Sequence, residues 1–185
     1  PVKPNQILLT VKKHTQGKRL VSEKSIQSYQ QNFRNISMQL MNPLSAGEWV
    51  EIFKKLTVWD IELSDTEDEN IHEIFSSQKN EANQLFCKFY ESNYEDWLSG
   101  KKEKPLISPT VLKEKLFPLL KKDRPTFLIV IDNLRFDQWK FIQPAIENLF
   151  HTEEECVYYS ILPTTTQFAR NALFSGLMPS EIERK

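Results

Sequence analysis

A chain of 185 residues, 39 % of them hydrophobic, is long enough to bury a core in one or two domains. Its net charge of −1 and a pI near 6.4 exclude a global electrostatic pull toward nucleic acid. No apolar run approaches the roughly 18 residues of a membrane span, and no signal-peptide pattern opens the chain, so no membrane span is expected.

In chain order, Pro1-Val-Lys-Pro4 runs into Asn5 to Lys13, where Ile7, Leu8 and Val11 share one helix face. Gln16-Gly17-Lys18 punctuates that segment. Arg19 to Met41 then reads as a long amphipathic helix, with Ile26, Tyr29, Phe33, Ile36 and Leu40 at helical steps. Asn42-Pro43 ends it. Ser45-Ala-Gly-Glu48 is a capping-box pattern that opens a helix carrying Trp49, Ile52, Phe53, Leu56, Trp59 and Leu63. The acidic stretch Ser64 to Glu69 suits the amino end of a further helix. That helix shows Ile71, Ile74, Phe75, Leu85, Phe86, Phe89 and Tyr90, and it reaches Trp97. Ser99 to Pro105 is a loop, and Ser108-Pro109 caps a shorter helix to Phe117 or Leu120. Residues 16–123 therefore read as a helical bundle module whose aromatics are mostly core, with a partner surface or a dimer seam as the alternative. The two cysteines, Cys87 and Cys156, lack CxxC spacing and read as buried free thiols of a reducing cytosol.

From residue 124 the pattern changes. Thr126 to Ile131 is a continuous apolar run that suits a parallel strand covered on both faces, and it stops at Asp132. A carboxylate at the carboxyl end of such a strand lies where open α/β sheets bind ligands. Gln138 to Phe150 follows as a crossover helix, with Asp137 as its cap. Val157 to Leu162 is the next strand, and Pro163 and three threonines turn the chain into a helix over Gln167 to Phe174, closed by Gly176. If the two strands pair in the usual right-handed crossover, Asp132 and the threonines face one volume. There a carboxylate and a hydroxyl can share a divalent metal, and the helix amino end favours a phosphate. Each residue also has a plainer role: Asp132 can cap its own turn, and one threonine can cap the helix.

The segment Pro163-Thr-Thr-Thr-Gln-Phe-Ala-Arg-Asn-Ala-Leu-Phe-Ser-Gly-Leu-Met-Pro179 resembles the nucleophile loop of the alkaline phosphatase superfamily. Leu128-Ile-Val-Ile-Asp132 resembles its first metal-bearing strand. Ile131 to Trp139 taken with that loop is closer to the PglZ branch, and specifically to PorX-type response regulators linked to type IX secretion. With these in place, Pro1-Val-Lys-Pro4 and its helix resemble the end of a CheY-like receiver. The resemblance implies residues 1–15 as the receiver's end, 16–123 as a helical linker, and 124–185 as the start of an α/β, parallel-sheet PglZ domain, incomplete at both ends. It implies Lys3 as the lysine that contacts a phosphorylated aspartate. It implies Asp132 as a metal ligand and Thr166 as nucleophile and metal-touching hydroxyl, with Thr165 the alternative if the helix starts one residue earlier. Asn133, Arg135 and Asn171 are candidate phosphate contacts. His14, His72 and His151 lie outside both motifs. The cofactor implied is zinc in the complete protein, whose further Asp and His ligands fall downstream, so weak metal binding is expected of this chain. The partners implied are a cognate sensor histidine kinase, secretion-system or transcription partners, a nucleotide or oligonucleotide substrate and a second copy of the chain, in the cytoplasm. The implied activity is phosphodiester hydrolysis; the alternative is a signalling adaptor that binds partners without catalysis.

Overall fold

The computed structural model describes residues 24–121 and 125–184. The expectations for residues 1–15, Lys3 among them, lie outside the described residues. The described residues are mainly helical and contain no named β-strand. They fall into two compact units. One holds the residues up to Tyr90 together with Phe136–Phe141, and the other holds Glu91–Arg135 together with Ile142 onward.

In the first unit, α1 is helical over 24–40, α2 spans Ala46–Glu62 and α3 spans Glu69–Ser99, its residues to Tyr90 belonging here. Local chemistry sets the boundaries. The Ser45 hydroxyl accepts the Glu48 N–H at 3.3 Å, and the Glu48 carboxylate accepts the Ser45 N–H at 2.7 Å. Those bonds hold the Glu48 carboxyl below its ordinary pKa. Asp68 accepts the Asn70 N–H at the amino end of α3. The apolar stripes read from the sequence meet in one core of Tyr29, Ile36, Leu40, Trp49, Ile52, Trp59, Leu63, Ile71, Phe75 and Ala82. Most of the aromatics are core, as their spacing indicates. The Tyr29 ring lies edge-on to Trp59 at 5.5 Å and to Phe75 at 5.4 Å.

A polar residue sits inside that core. Gln78 is 2 % exposed. Its Oε1 accepts the Tyr29 hydroxyl at 3.0 Å, and its Nε2 donates to the Phe33 carbonyl at 3.1 Å and to Ser37 Oγ at 3.0 Å. All three partners lie on α1 one turn apart, so one α3 amide spans two turns of the neighbouring helix. Burial pushes the Tyr29 phenol up from 10.0 to about 12. A phenol whose folded pKa is raised stabilises the fold below pH 10 and loses that contribution as pH climbs toward 12. Urea midpoints are therefore expected to fall across that window, and Tyr29→Phe is expected to flatten the fall.

The second unit is built around Trp97, Ile107, Tyr159, Ile161 and Ala172, all buried. Tyr159 and Ile107 form an isolated parallel bridge: the Tyr159 N–H donates to the Leu106 carbonyl at 2.8 Å, and the Ser108 N–H donates to the Tyr159 carbonyl at 3.1 Å. This corrects the expected pairing of Val157 to Leu162 with Thr126 to Ile131. The reason lies in where the backbone donors go. The Ile161 N–H donates to Ser108 Oγ at 3.1 Å and the Leu162 N–H to the Tyr94 hydroxyl at 2.8 Å, so two side-chain hydroxyls take the place of a neighbouring strand. Thr126 to Ile131 lacks a partner strand among the described residues and stays exposed, Phe127 by 85 % and Ile129 by 80 %.

Other boundaries shift for local reasons. The helix expected from Ser108 is instead a 3-10 turn over Ser108–Thr110, a wide π turn over Leu112–Leu116 and a 3-10 turn over Leu119–Lys121. Pro118 has no N–H to continue an α-helix, and the Phe117 N–H reaches back to the Leu112 carbonyl at 2.9 Å. α4 spans Phe136–Glu147, which puts Asp137 in its first turn and not at its cap. α5 spans Thr166–Ser175 and ends at Gly176, whose φ of 70° is the left-handed closure that glycine permits. α6 is the short Pro179–Ile182. Cys87 and Cys156 are exposed, a correction to their expected burial. Cys87 lies beside Phe86 on α3 but on the side turned from the core, and Cys156 lies in an extended segment. No described helix is long and apolar enough to cross a membrane.

Candidate functional site

The threonine turn is positioned from below by the second unit's core. Ile161 is fully buried, the Leu162–Pro163 bond is cis, and α5, whose Ala172 is fully buried, packs against the Ser108–Thr110 turn. Thr164, Thr165 and Thr166 emerge exposed above it. The helix begins at Thr166, one residue ahead of the expected Gln167, which is the register that keeps Thr165 as the alternative to Thr166. Thr165 is the N-cap by its backbone: its carbonyl accepts the Phe168 and Ala169 N–H groups at 3.0 and 2.9 Å, while its side chain makes no cap hydrogen bond. A threonine is thus the N-cap of this helix, as expected. The first N–H groups of α5 carry the positive end of the helix dipole toward the Thr166 hydroxyl.

Asp132 reaches this helix. Its Oδ2 lies 3.5 Å from Nη1 of Arg170 on α5, and its Oδ1 accepts the Asn133 N–H at 3.1 Å. The second bond is the turn-capping role foreseen for an aspartate at this place. Asn133 adopts a φ of 59°, a left-handed turn conformation that asparagine tolerates. Arg170 is the site residue that sequence reasoning missed. Its signal was spacing: it stands four residues after Thr166, on the same helical face. Asn171 is exposed on α5 next to Arg170, and Arg135 is exposed just before α4. His72 bonds the Thr66 carbonyl at 2.8 Å in the first unit, a structural role. His151 is exposed after α4.

Among the described residues no three or more His, Cys, Asp or Glu side chains converge on a metal-sized site. Asp132 spends both oxygens on protein donors, and Thr166 adds one hydroxyl. That donor set is smaller than the three or four protein ligands that zinc sites take.

Comparison with known families gives two matches. Residues 19–98 match the family described as PorX response regulator linker domain. Residues 111–185 match the family described as BREX system PglZ alkaline phosphatase-like domain. No curated protein matches the chain significantly. With a match to that linker followed by a match to that alkaline phosphatase-like domain, in this order, the chain is similar to PorX-type response regulators.

Proposed function

We propose that the alkaline phosphatase-like part of this chain cleaves phosphodiesters, nucleotides or oligonucleotides among them, with Thr166 as the nucleophile. One observation carries the reading: the carboxylate ending the apolar run and the helix opened by Thr166 meet through the Asp132–Arg170 pair. In the reaction Thr166 Oγ bonds to phosphorus as the bond to the leaving alkoxide breaks, and water then releases the phosphoryl group from the threonine. The exposed Thr166 hydroxyl and the amino end of α5 suit that attack, because the helix dipole favours negative charge there. Zinc belongs to the reading through the family resemblance; the described residues offer toward it only Asp132 and the Thr166 hydroxyl. Control by a receiver that a sensor histidine kinase phosphorylates, in type IX secretion and in the cytoplasm, belongs to the same reading. Lys3 is its receiver lysine.

A second reading is an adaptor that binds protein partners or a second copy without catalysis. The exposed apolar run from Phe127 to Ile131 favours it, because exposed apolar patches mark interaction surfaces. The test is hydrolysis of a chromogenic phosphodiester by the full-length protein with zinc supplied. Turnover that disappears in Thr166→Ala sustains the enzyme reading. Equal inertness of both proteins overturns it in favour of the adaptor.

A further inference from the structure

Two limbs meet at the threonine turn, and one short element touches both. On the leading limb the Ile161 N–H donates to Ser108 Oγ at 3.1 Å and the Leu162 N–H to the Tyr94 hydroxyl at 2.8 Å. Pro163 follows with no N–H to give, so these are the last two backbone donors ahead of the threonines. On the trailing limb α5 packs against the Ser108–Thr110 turn, with Ala172 fully buried. Gly176 lies so near that turn that a Cβ on it would stand 3.5 Å from the Pro109 carbonyl oxygen. Ser108 itself is 1 % exposed, and its own N–H donates to the Tyr159 carbonyl at 3.1 Å.

A strand in a sheet is held by a ladder of backbone bonds to its neighbour. The limb entering the threonine turn has one parallel bridge, at Tyr159, and then the two hydroxyls. Each hydroxyl holds one donor at one point, and each comes from a distant part of the chain, 68 and 53 residues away from the N–H it receives. Thr166 stands four residues beyond Leu162, so the end of this limb and the seat of α5 together decide where its hydroxyl is presented. We propose that Tyr94 and Ser108 are positioning residues for the threonine turn: their hydroxyls fix its leading limb, so that Thr166 Oγ is held in one place for attack. The inference rests on the reading of Thr166 as a nucleophile for its catalytic meaning; the hold on the limb is measurable without turnover.

The test is amide hydrogen exchange over residues 159–166 of the full-length protein, followed by mass spectrometry and run beside phosphodiester turnover with zinc supplied. Tyr94→Phe keeps the ring and removes only the acceptor. It is expected to speed exchange of the segment about tenfold, the size of one lost hydrogen bond. It is also expected to lower kcat roughly tenfold with KM within about twofold, because a displaced nucleophile is felt in the reaction step and not in binding. Ser108→Ala is expected to exceed both effects, since the Ile161 N–H that it orphans is buried. Circular dichroism melts show whether Ser108→Ala folds, and where it does not, Tyr94→Phe decides alone. A contact that serves the fold only would lower the melting temperature and leave kcat unchanged. Wild-type exchange in Tyr94→Phe, or faster exchange with wild-type kcat, overturns the proposal. A wild-type protein that is itself inert overturns the nucleophile reading instead, and the exchange rates then decide whether the two hydroxyls hold the turn.

Discussion

Thr166→Ala is expected to lower phosphodiester turnover of the full-length protein at least about 10³-fold, because removing the attacking oxygen leaves only binding and electrostatics to act. The loss should fall on kcat with little change in KM, since the hydroxyl bonds to phosphorus only as the reaction proceeds. The structure supplies the control. Thr166 is the first residue of α5 and its neighbour Thr165 caps the helix through its backbone, so alanine at 166 removes no capping hydrogen bond. Helix content and melting temperature should therefore stay near those of the wild type. Thr165→Ala is the companion variant. Its side chain makes no cap hydrogen bond, so most of the turnover should remain. If instead Thr165→Ala is the inactive one, the nucleophile is Thr165, the alternative that a helix starting at Thr166 keeps open.

The largest effect on stability is expected from Tyr29→Ala. Tyr29 is fully buried among Phe33, Trp59 and Phe75. Truncating a buried aromatic costs roughly 3–5 kcal/mol in lost transfer energy and cavity. The hydroxyl also satisfies the buried Oε1 of Gln78, and an orphaned buried acceptor adds about 1–3 kcal/mol. A total near 5 kcal/mol is comparable with the whole stability of a small unit. Urea denaturation followed by tryptophan fluorescence should show the helical unit largely unfolded at 25 °C in that variant. Tyr29→Phe keeps the ring and orphans only the amide oxygen, so it should cost about 1–2 kcal/mol. A Tyr29→Ala protein as stable as Tyr29→Phe would mean that the surrounding rings collapse into the space.

What the sequence made legible follows from how local each signal is. The Ser45–Glu48 cap, the Gly176 closure and the helical stripes of α2 and α3 depend on residues within a few positions, and each appears where its pattern placed it. Strands depend on distant partners. Thr126 to Ile131 has the composition of a buried strand, but composition does not say what lies beside it, and Val157 to Leu162 found hydroxyls from Ser108 and Tyr94 in place of a strand. The helix expected from Ser108 to Phe117 or Leu120 breaks into short 3-10 and π turns that flank Pro118. Gln78 was hidden because a polar residue within an apolar stripe has no meaning until the Tyr29 hydroxyl is seen facing it. At the candidate site the same division holds. The positions of Asp132 and the threonine turn came from motif, whereas the arginine linking them needed coordinates.

The hydroxyl of Tyr94 and the ring of Trp97 have a consequence for where this protein divides. Both belong to the stretch matched as linker, yet one receives the Leu162 N–H just ahead of the threonine turn and the other lies 5.5 Å from Tyr159. Severing the chain after Ser99 would strip the threonine turn of a buttress that lies in the stretch matched as linker. The seam drawn by the family matches and the seam drawn by packing are offset by about two turns of α3, and an excised phosphatase-like half should begin upstream of Tyr94 to remain whole.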